Sequence, residues 1–268
     1  MIPVVKAHAY GNDFLYVEER HVADRDRPAL ARSICERHTG IGADGLIVYR
    51  LVPGGAAMGL LNADGSYSEV SGNGVRGLAA VLLDVHGVAP VDRTVVVRTD
   101  AGEKRLVLLG RDGSRVTFRA GMGAPTTPVE RTLDVLGEPL RVVVLRIGNP
   151  QCVRLEQPLD EGRVRRLGPA LERHPAFPDG TNVEFASVEA PDRVRILIWE
   201  RGVGPTSASG TGACAAAVAA AAFGGASRDV EVVSPGGSQR VEWRDEGIFL
   251  TGWAEVVLRG EWSGLDGR

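Results

Sequence analysis

Cysteine is scarce in this chain. Cys35, Cys152 and Cys214 are the only three among 268 residues. An odd count without a Cys-x-x-Cys pair speaks against a disulfide framework or a zinc site and favours a reducing compartment. Basic runs are missing too. The arginines are scattered and the formal net charge is -3, which gives neither nucleic acid nor an anionic membrane surface anything to bind. Long apolar runs are also absent. The longest, Ala213–Phe223, is about half the length that a membrane helix needs. Lys6, His8 and Asp13 interrupt the N-terminal segment too early for the apolar region of a secretory signal. The cytoplasm is the expected compartment.

What is present is a succession of short apolar runs bounded by Gly, Asp or Pro. Phe14–Val17, Gly45–Leu51, Gly59–Asn62, Thr94–Thr99, Lys104–Leu109 and Arg115–Arg119 read as strands. Arg141–Ile147, Gln151–Leu155, Val194–Trp199, Val230–Val233, Ser238–Trp243 and Gly247–Gly252 read likewise. Asp24–Glu36 has the pattern of an amphipathic helix. Leu159–Glu172 follows it more weakly, because Gly162 and Pro169 interrupt it. Val75–Val85 and Ala213–Phe223 are apolar on nearly every side, so each is expected to lie inside a core, wrapped by sheet.

The two halves repeat. Gly11-Asn12 recurs as Gly148-Asn149, 137 positions on, and Asn62 aligns with Glu200 at 138. Ser71-Gly-Asn-Gly recurs as Ser209-Gly-Thr-Gly, again at 138, and each opens an apolar helix. Such agreement indicates internal duplication. The expected architecture is α/β (α+β), with two pseudo-symmetric lobes, each a mixed sheet rolled around a central buried helix. The expected division is 1–118, joined by about 256–268, and 119–255.

A helix that starts at Ser-Gly-x-Gly presents unpaired N–H groups and the positive end of its dipole, and its glycines let a ligand approach them. A carboxylate or phosphate suits such a site. The plainer reading is that Ser71 and Ser209 are helix caps. Duplication of the loop, beside polar strand ends, favours one small-molecule site enclosed by both. Gly72, Gly74 and Gly77 also spell G-x-G-x-x-G. The polar turn before them and the lack of a following strand that ends in an acid argue against a dinucleotide.

Seven blocks resemble the signatures of the diaminopimelate epimerase family. They are Lys6–Phe14, Gly40–Gly45, Asn62–Ser66, Ser71–Arg76, Gly148–Gln151, Asn182–Phe185 and Glu200–Cys214, in family order. The resemblance implies a fold of two similar lobes with the site in the cleft between them. It implies no cofactor and no metal. The implied reaction is epimerisation of LL-diaminopimelate to the meso form, by proton removal on one side of the α-carbon and return on the other. Amides of Gly72, Asn73, Gly210 and Thr211 would hold the reacting carboxylate. Asn12, Asn62, Asn149, Asn182 and Arg201 would hold the distal amino-acid end, and Glu200 would tune the proton carriers and face the substrate. The implied partner is this small amino acid, without nucleic acid or membrane, in a monomer or homodimer.

The family's two catalytic cysteines fall at Ser71 and Ser209, its usual histidine after Asn-Pro at Gln151, and a helix cysteine at Gly77. A thiol titrates near 8.5 and a helix N-terminus lowers it further, whereas a hydroxyl lies several units higher. A helix dipole, worth about 1 kcal/mol, does not close that gap. Ser71 and Ser209 then need help, from Glu200 or from another acid such as Glu69 or Asp13, with His8 the histidine nearest a family motif. The alternative reading is another amino-acid racemase or isomerase that uses carboxylates, or an amino-acid binder. Serine at both positions keeps the symmetry that an epimerase needs. Cys214 and Cys35 read as packing, and Cys152 enters a strand near the cleft. Arg76, a cation in the first turn of its helix, is expected to pair with Glu69 or Asp64.

Overall fold

Each Ser-Gly-x-Gly loop ends where an apolar helix begins, and each helix is enclosed by β-branched strands. This is seen in a computed structural model that describes residues 1–68, 71–88, 90 and 92–264. Glu69 therefore lies outside the described residues. The chain divides into two units, Met1–Ala120 with Trp253–Arg268, and Gly121–Gly252.

The first unit contains β1 (Ile2–Ala9), β2 (Asn12–Glu18), α1 (Arg27–Cys35), β3 (Gly45–Val52), β4 (Gly55–Asn62), β5 (Tyr67–Ser68), α2 (Gly72–Val85), β6 (Thr94–Thr99), β7 (Gly102–Asp112) and the start of β8 (Arg115–Gly123). The β1–β2 hairpin turns at Tyr10-Gly11, both with positive φ, as a two-residue turn between twisted strands requires. β2 pairs parallel to β3 through α1, and β4 parallel to β6 through α2. Parallel neighbours need such crossovers. Leu78–Leu82 are fully buried. The opposite face of the sheet packs Leu15, Val17, Leu46 and Val48 against Leu30, Ile34 and Cys35 of α1.

The second unit repeats the plan. It contains β9 (Val129–Val135), β10 (Glu138–Ile147), β11 (Asn149–Leu155), α3 (Glu161–Glu172), β12 (Asn182–Ala190), β13 (Arg193–Glu200), β14 (Gly204–Thr206), α4 (Gly210–Phe223), β15 (Asp229–Ser234), β16 (Gly237–Arg244) and the start of β17 (Gly247–Trp262). β11 pairs parallel to β12 through α3, and β13 parallel to β15 through α4. α4 is buried from Ala213 to Ala220 among Val143, Val194, Ile196, Val230 and Val241. Its alanines allow strands to approach closely on every side. Residues Trp253–Trp262 of β17 belong to the first unit, where they pair antiparallel to β1.

The structure corrects several sequence expectations. α2 and α4 begin three residues earlier than their apolar runs, because Ser71 and Ser209 cap the glycines into the first turn. Gly162 and Pro169 do not stop α3: Asp160 caps it, and Gly168 lets the Trp199 indole pack directly on its backbone. β1, β9 and β12 escaped detection because Lys6, the exposed charges of Val129–Asp134 and Glu184 break their apolar character.

Candidate functional site

In the first unit, Ser71 stands in extended backbone immediately before α2, and its Oγ accepts a hydrogen bond from Gly74 N at 3.1 Å. Val75 N bonds Ser71 O at 2.8 Å. The first four N–H groups of a helix lack partners within it. Ser71 thus serves the N–H groups of Gly74 and Val75, while those of Gly72 and Asn73 have no partner within the helix. The buried Asn73 side chain ties this turn to the sheet. Its Nδ2 donates to Asn12 Oδ1 at 3.2 Å, and its Oδ1 accepts from Arg76 Nη1 at 3.3 Å. Arg76 is itself buried, over the Tyr10 ring at 5.8 Å. Asp64, one partner expected for Arg76, accepts from Ser66 N at 2.8 Å and Oγ at 2.6 Å.

Asn12 Nδ2 donates to Asp44 Oδ2 at 2.7 Å, and Arg37 bridges Asp44 at 2.8 Å and Asp13 at 3.3 Å. Lys6 completes the cluster at 2.8 Å from Asp13. Burial raises the Asp13 pKa, but Lys6 and Arg37 outweigh it and hold the carboxyl below the ordinary range. A carboxylate so paired is a poor proton acceptor, which removes Asp13 as a helper for Ser71. Asn62 ends β4, opposite Gly45 in register, and its side chain bonds Ser66 Oγ at 3.0 Å. Asn12 and Asn62 thus share one end of the sheet but are not hydrogen-bonded to each other.

In the second unit, Ser209 repeats this geometry, with its Oγ accepting from Gly212 N at 3.1 Å. Ala213 N bonds Ser209 O at 3.0 Å, and the Gly210 and Thr211 N–H groups have no partner within the helix. Asn149, Asn182 and Glu200 gather where β11 and β12 start and β13 ends. Asn182 is fixed by Arg201 N, which donates to its Oδ1 at 2.9 Å; the Arg201 guanidinium is exposed and bonds Asp179 O at 2.8 Å. Gln151 is fully buried, its side-chain N–H donating to Glu184 Oε1 at 3.0 Å and its carbonyl accepting from Asn182 Nδ2 at 3.3 Å and Thr211 Oγ1 at 3.2 Å.

Glu184 was not singled out in the sequence. It is fully buried. A Cβ added to Gly212 would stand 2.6 Å from Glu184 Oε1 and 3.1 Å from Ser209 Oγ. Carboxyl and hydroxyl therefore crowd the same face of Gly212, which only glycine allows. Burial, and secondarily the Glu200 charge, push Glu184 well above the usual carboxylate range. The available signal was period-two alternation in β12. Val183 and Phe185 face the α3 core and Ala186 the α4 core, so Glu184 must face α4.

Among the described residues no histidine bonds either serine. His8 instead accepts from Gly11 N at 3.2 Å and lies edge-on to Trp253 at 5.3 Å. All three cysteines are buried and none forms a disulfide. Cys152 packs with the α3 core, and burial raises its thiol pKa. Cys35 is pushed up to about 12, mainly by burial. Gly77 has a steric reason: a Cβ there would lie 2.0 Å from the Tyr16 hydroxyl, which donates to Gly74 O at 3.0 Å. Tyr16 thus fills the space that a cysteine at 77 would take.

Comparison with known proteins agrees with this geometry. The family model described as diaminopimelate epimerase matches residues 4–127 and 143–257. Diaminopimelate epimerase of Desulforudis audaxviator is 42% identical, with 96% of this chain and 98% of that protein covered. The one from Pelotomaculum thermopropionicum is 40% identical, with 96% and 97% covered. Among solved structures, a Bacillus anthracis phenazine biosynthesis protein of the PhzF family superposes with a TM-score of 0.72 at 15% identity, covering 97% of this chain and 98% of that one. A probable proline racemase from Agrobacterium radiobacter gives 0.71 at 18% identity, covering 99% and 94%. These two share the fold. On the family match and on identity over nearly its whole length, the chain belongs to the diaminopimelate epimerase family.

Proposed function

We propose that this protein epimerises LL-diaminopimelate to meso-diaminopimelate, with the Ser71 and Ser209 hydroxyls as its two proton carriers. The observation that carries the reading is the matched pair of helix N-termini. At each, a serine Oγ accepts a helix N–H bond, and the two N–H groups before it have no partner within the helix. Removal of an α-proton moves negative charge onto the adjoining carboxylate. Amides of Gly72, Asn73, Gly210 and Thr211 are suited to hold it there, where fixed N–H donors stabilise developing charge most effectively. The N–H bond and the helix dipole also favour an alkoxide at either serine, while the uncharged hydroxyl keeps its own proton to donate. Asn12, Asn62, Asn149, Asn182 and Arg201 supply donors and acceptors for the distal amino-acid end, and Glu200 biases the second serine. Three cysteines that form no disulfide support a cytoplasmic setting. Among the described residues no helix is long and apolar enough to cross a membrane.

The test is incubation with LL-diaminopimelate in D2O, followed by proton NMR. Loss of the α-proton signal is expected, with conversion to the meso form; a signal unchanged over hours at high protein concentration overturns the reading. Ser71→Cys with Ser209→Cys is expected to speed exchange on the order of 100-fold or more, because a thiolate forms several pH units lower than an alkoxide and each unit is worth up to tenfold.

A further inference from the structure

Four side chains of the first unit stand in one hydrogen-bonded row. Arg76 Nη1 donates to Asn73 Oδ1 at 3.3 Å, Asn73 Nδ2 to Asn12 Oδ1 at 3.2 Å, and Asn12 Nδ2 to Asp44 Oδ2 at 2.7 Å. Both ends are chemically one-way. A guanidinium has N–H donors and no acceptor, whereas a carboxylate accepts only. An amide by itself faces either way, yet only one direction satisfies the whole row. Asn73 must turn its carbonyl to Arg76, and Asn12 must turn its nitrogen to Asp44. With either amide reversed, donor meets donor and acceptor meets acceptor. The ends are also held from outside the row. Asp44 Oδ2 accepts from Asp13 N at 3.1 Å, its Oδ1 accepts from Arg37 at 2.8 Å, and its own N–H bonds Asp13 O at 2.9 Å. Arg76 is 2% exposed and Asn73 4%, with the guanidinium over the Tyr10 ring at 5.8 Å.

Asn12 is half-buried where β2 opens. Its amide has two N–H groups and two acceptor lone pairs. The row takes one of each and leaves one of each, in places that the row dictates. That remainder suits an amino-acid end, whose carboxylate accepts and whose ammonium donates. Turned over, Asn12 would exchange its donor and acceptor and face each ligand group with its like. We propose that Arg76 and Asp44 are positioning residues, the one-way ends of a row that fixes which face of the Asn12 amide a ligand meets. Each acts through an asparagine, without touching the ligand. Either end alone still orients both amides, so the direction is lost only when both ends are removed. The value of the row for the distal amino-acid end rests on the role proposed for Asn12, whereas the direction of the row does not.

The two parts are tested separately. Neutron diffraction from crystals exchanged into D2O needs no substitution and places amide deuterons directly. Asn73 is expected to turn its oxygen to Arg76 and a deuteron to Asn12, and Asn12 to turn a deuteron to Asp44. Either amide found reversed overturns the row. For the positioning role, KM and kcat for LL-diaminopimelate are measured in Arg76→Met, Asp44→Asn and the double variant. The double variant is expected to raise KM on the order of tenfold beyond the product of the single effects, with kcat changed less. Effects that merely multiply, as independent structural losses do, overturn the positioning role. Arg76→Lys keeps a donor at its end of the row. Combined with Asp44→Asn, it is expected to return KM to the Asp44→Asn value; a KM as high as in the pair with Arg76→Met overturns the assignment of Arg76 as the donor end. Absence of turnover in the unaltered protein, with the deuterons where expected, removes the epimerase reading and the positioning role with it, and leaves the direction of the row standing.

Discussion

Gly77 and Tyr16 meet where a Cβ has no room, since it would lie 2.0 Å from the tyrosine hydroxyl. Gly77→Ala is expected to destabilise the protein by about 1–3 kcal/mol, as overpacking does. In a Tyr16→Phe background that loss shrinks, although removal of the hydroxyl itself gives up about 1 kcal/mol of hydrogen bonding to Gly74 O. Urea unfolding of the four proteins in the cycle measures the coupling. Charge at single residues sets two opposite pH responses. Glu184 is raised in the folded state, so the unfolded chain releases its proton first. It lowers stability progressively as pH rises above the unfolded value of about 4.3 toward the folded one. Glu184→Gln is therefore expected to gain stability over the unaltered protein at pH 8 and to lose that advantage near pH 4. Asp13 behaves oppositely. Its folded pKa is lowered, so its contribution is complete above about pH 3.9 and vanishes as pH falls through the folded value. Asp13→Asn is expected to flatten this acid limb in urea titrations at successive pH.

At the scale of elements, the caps of α2 and α4 do structural work whatever chemistry they serve. Ser71→Ala and Ser209→Ala are each expected to cost about 1 kcal/mol, the usual loss when an N-cap oxygen is removed. Ser→Asn retains the cap, so a protein that keeps its stability yet loses deuterium exchange separates capping from proton transfer. Both helices were legible as buried from their apolar faces, and Ser-Gly-x-Gly marked their starts. β12 was not legible, because Glu184 interrupts its apolar run and nothing in the sequence reports what lies opposite. The carboxyl makes sense only once Gly212 and Gln151 are seen against it. Arg76 shows the same limit. Its position opposes the helix dipole and asked for a partner, but only folding brought Asn73 and the Tyr10 ring to it.

Over the whole molecule, the last strand ties the C-terminal residues to the first unit. Trp253 packs on Tyr10 at 4.5 Å, lies under Arg115 at 4.3 Å, and its N–H bonds Tyr10 Oη at 3.2 Å. Trp253→Ala is expected to cost about 2 kcal/mol, less than the ~3–5 of a fully buried tryptophan because its side chain is half-buried. Hydrogen exchange is expected to accelerate in β1 and β2 and to stay unchanged in the strands around α4; equal acceleration of both would contradict the assignment of this strand to the first unit. The sequence by itself determined the duplication, the two central helices, the serine-capped turns that open them and the family, because those features are local or recur at a constant offset. Tertiary structure alone decided that Asp13 is committed to Lys6 and Arg37 and that Glu184 lies beneath the Ser209 turn. These depend on strand register and on neighbours distant in the chain. The reason is physical: a carboxyl's protonation is set by its burial and by the charges around it, neither of which its place in the sequence encodes.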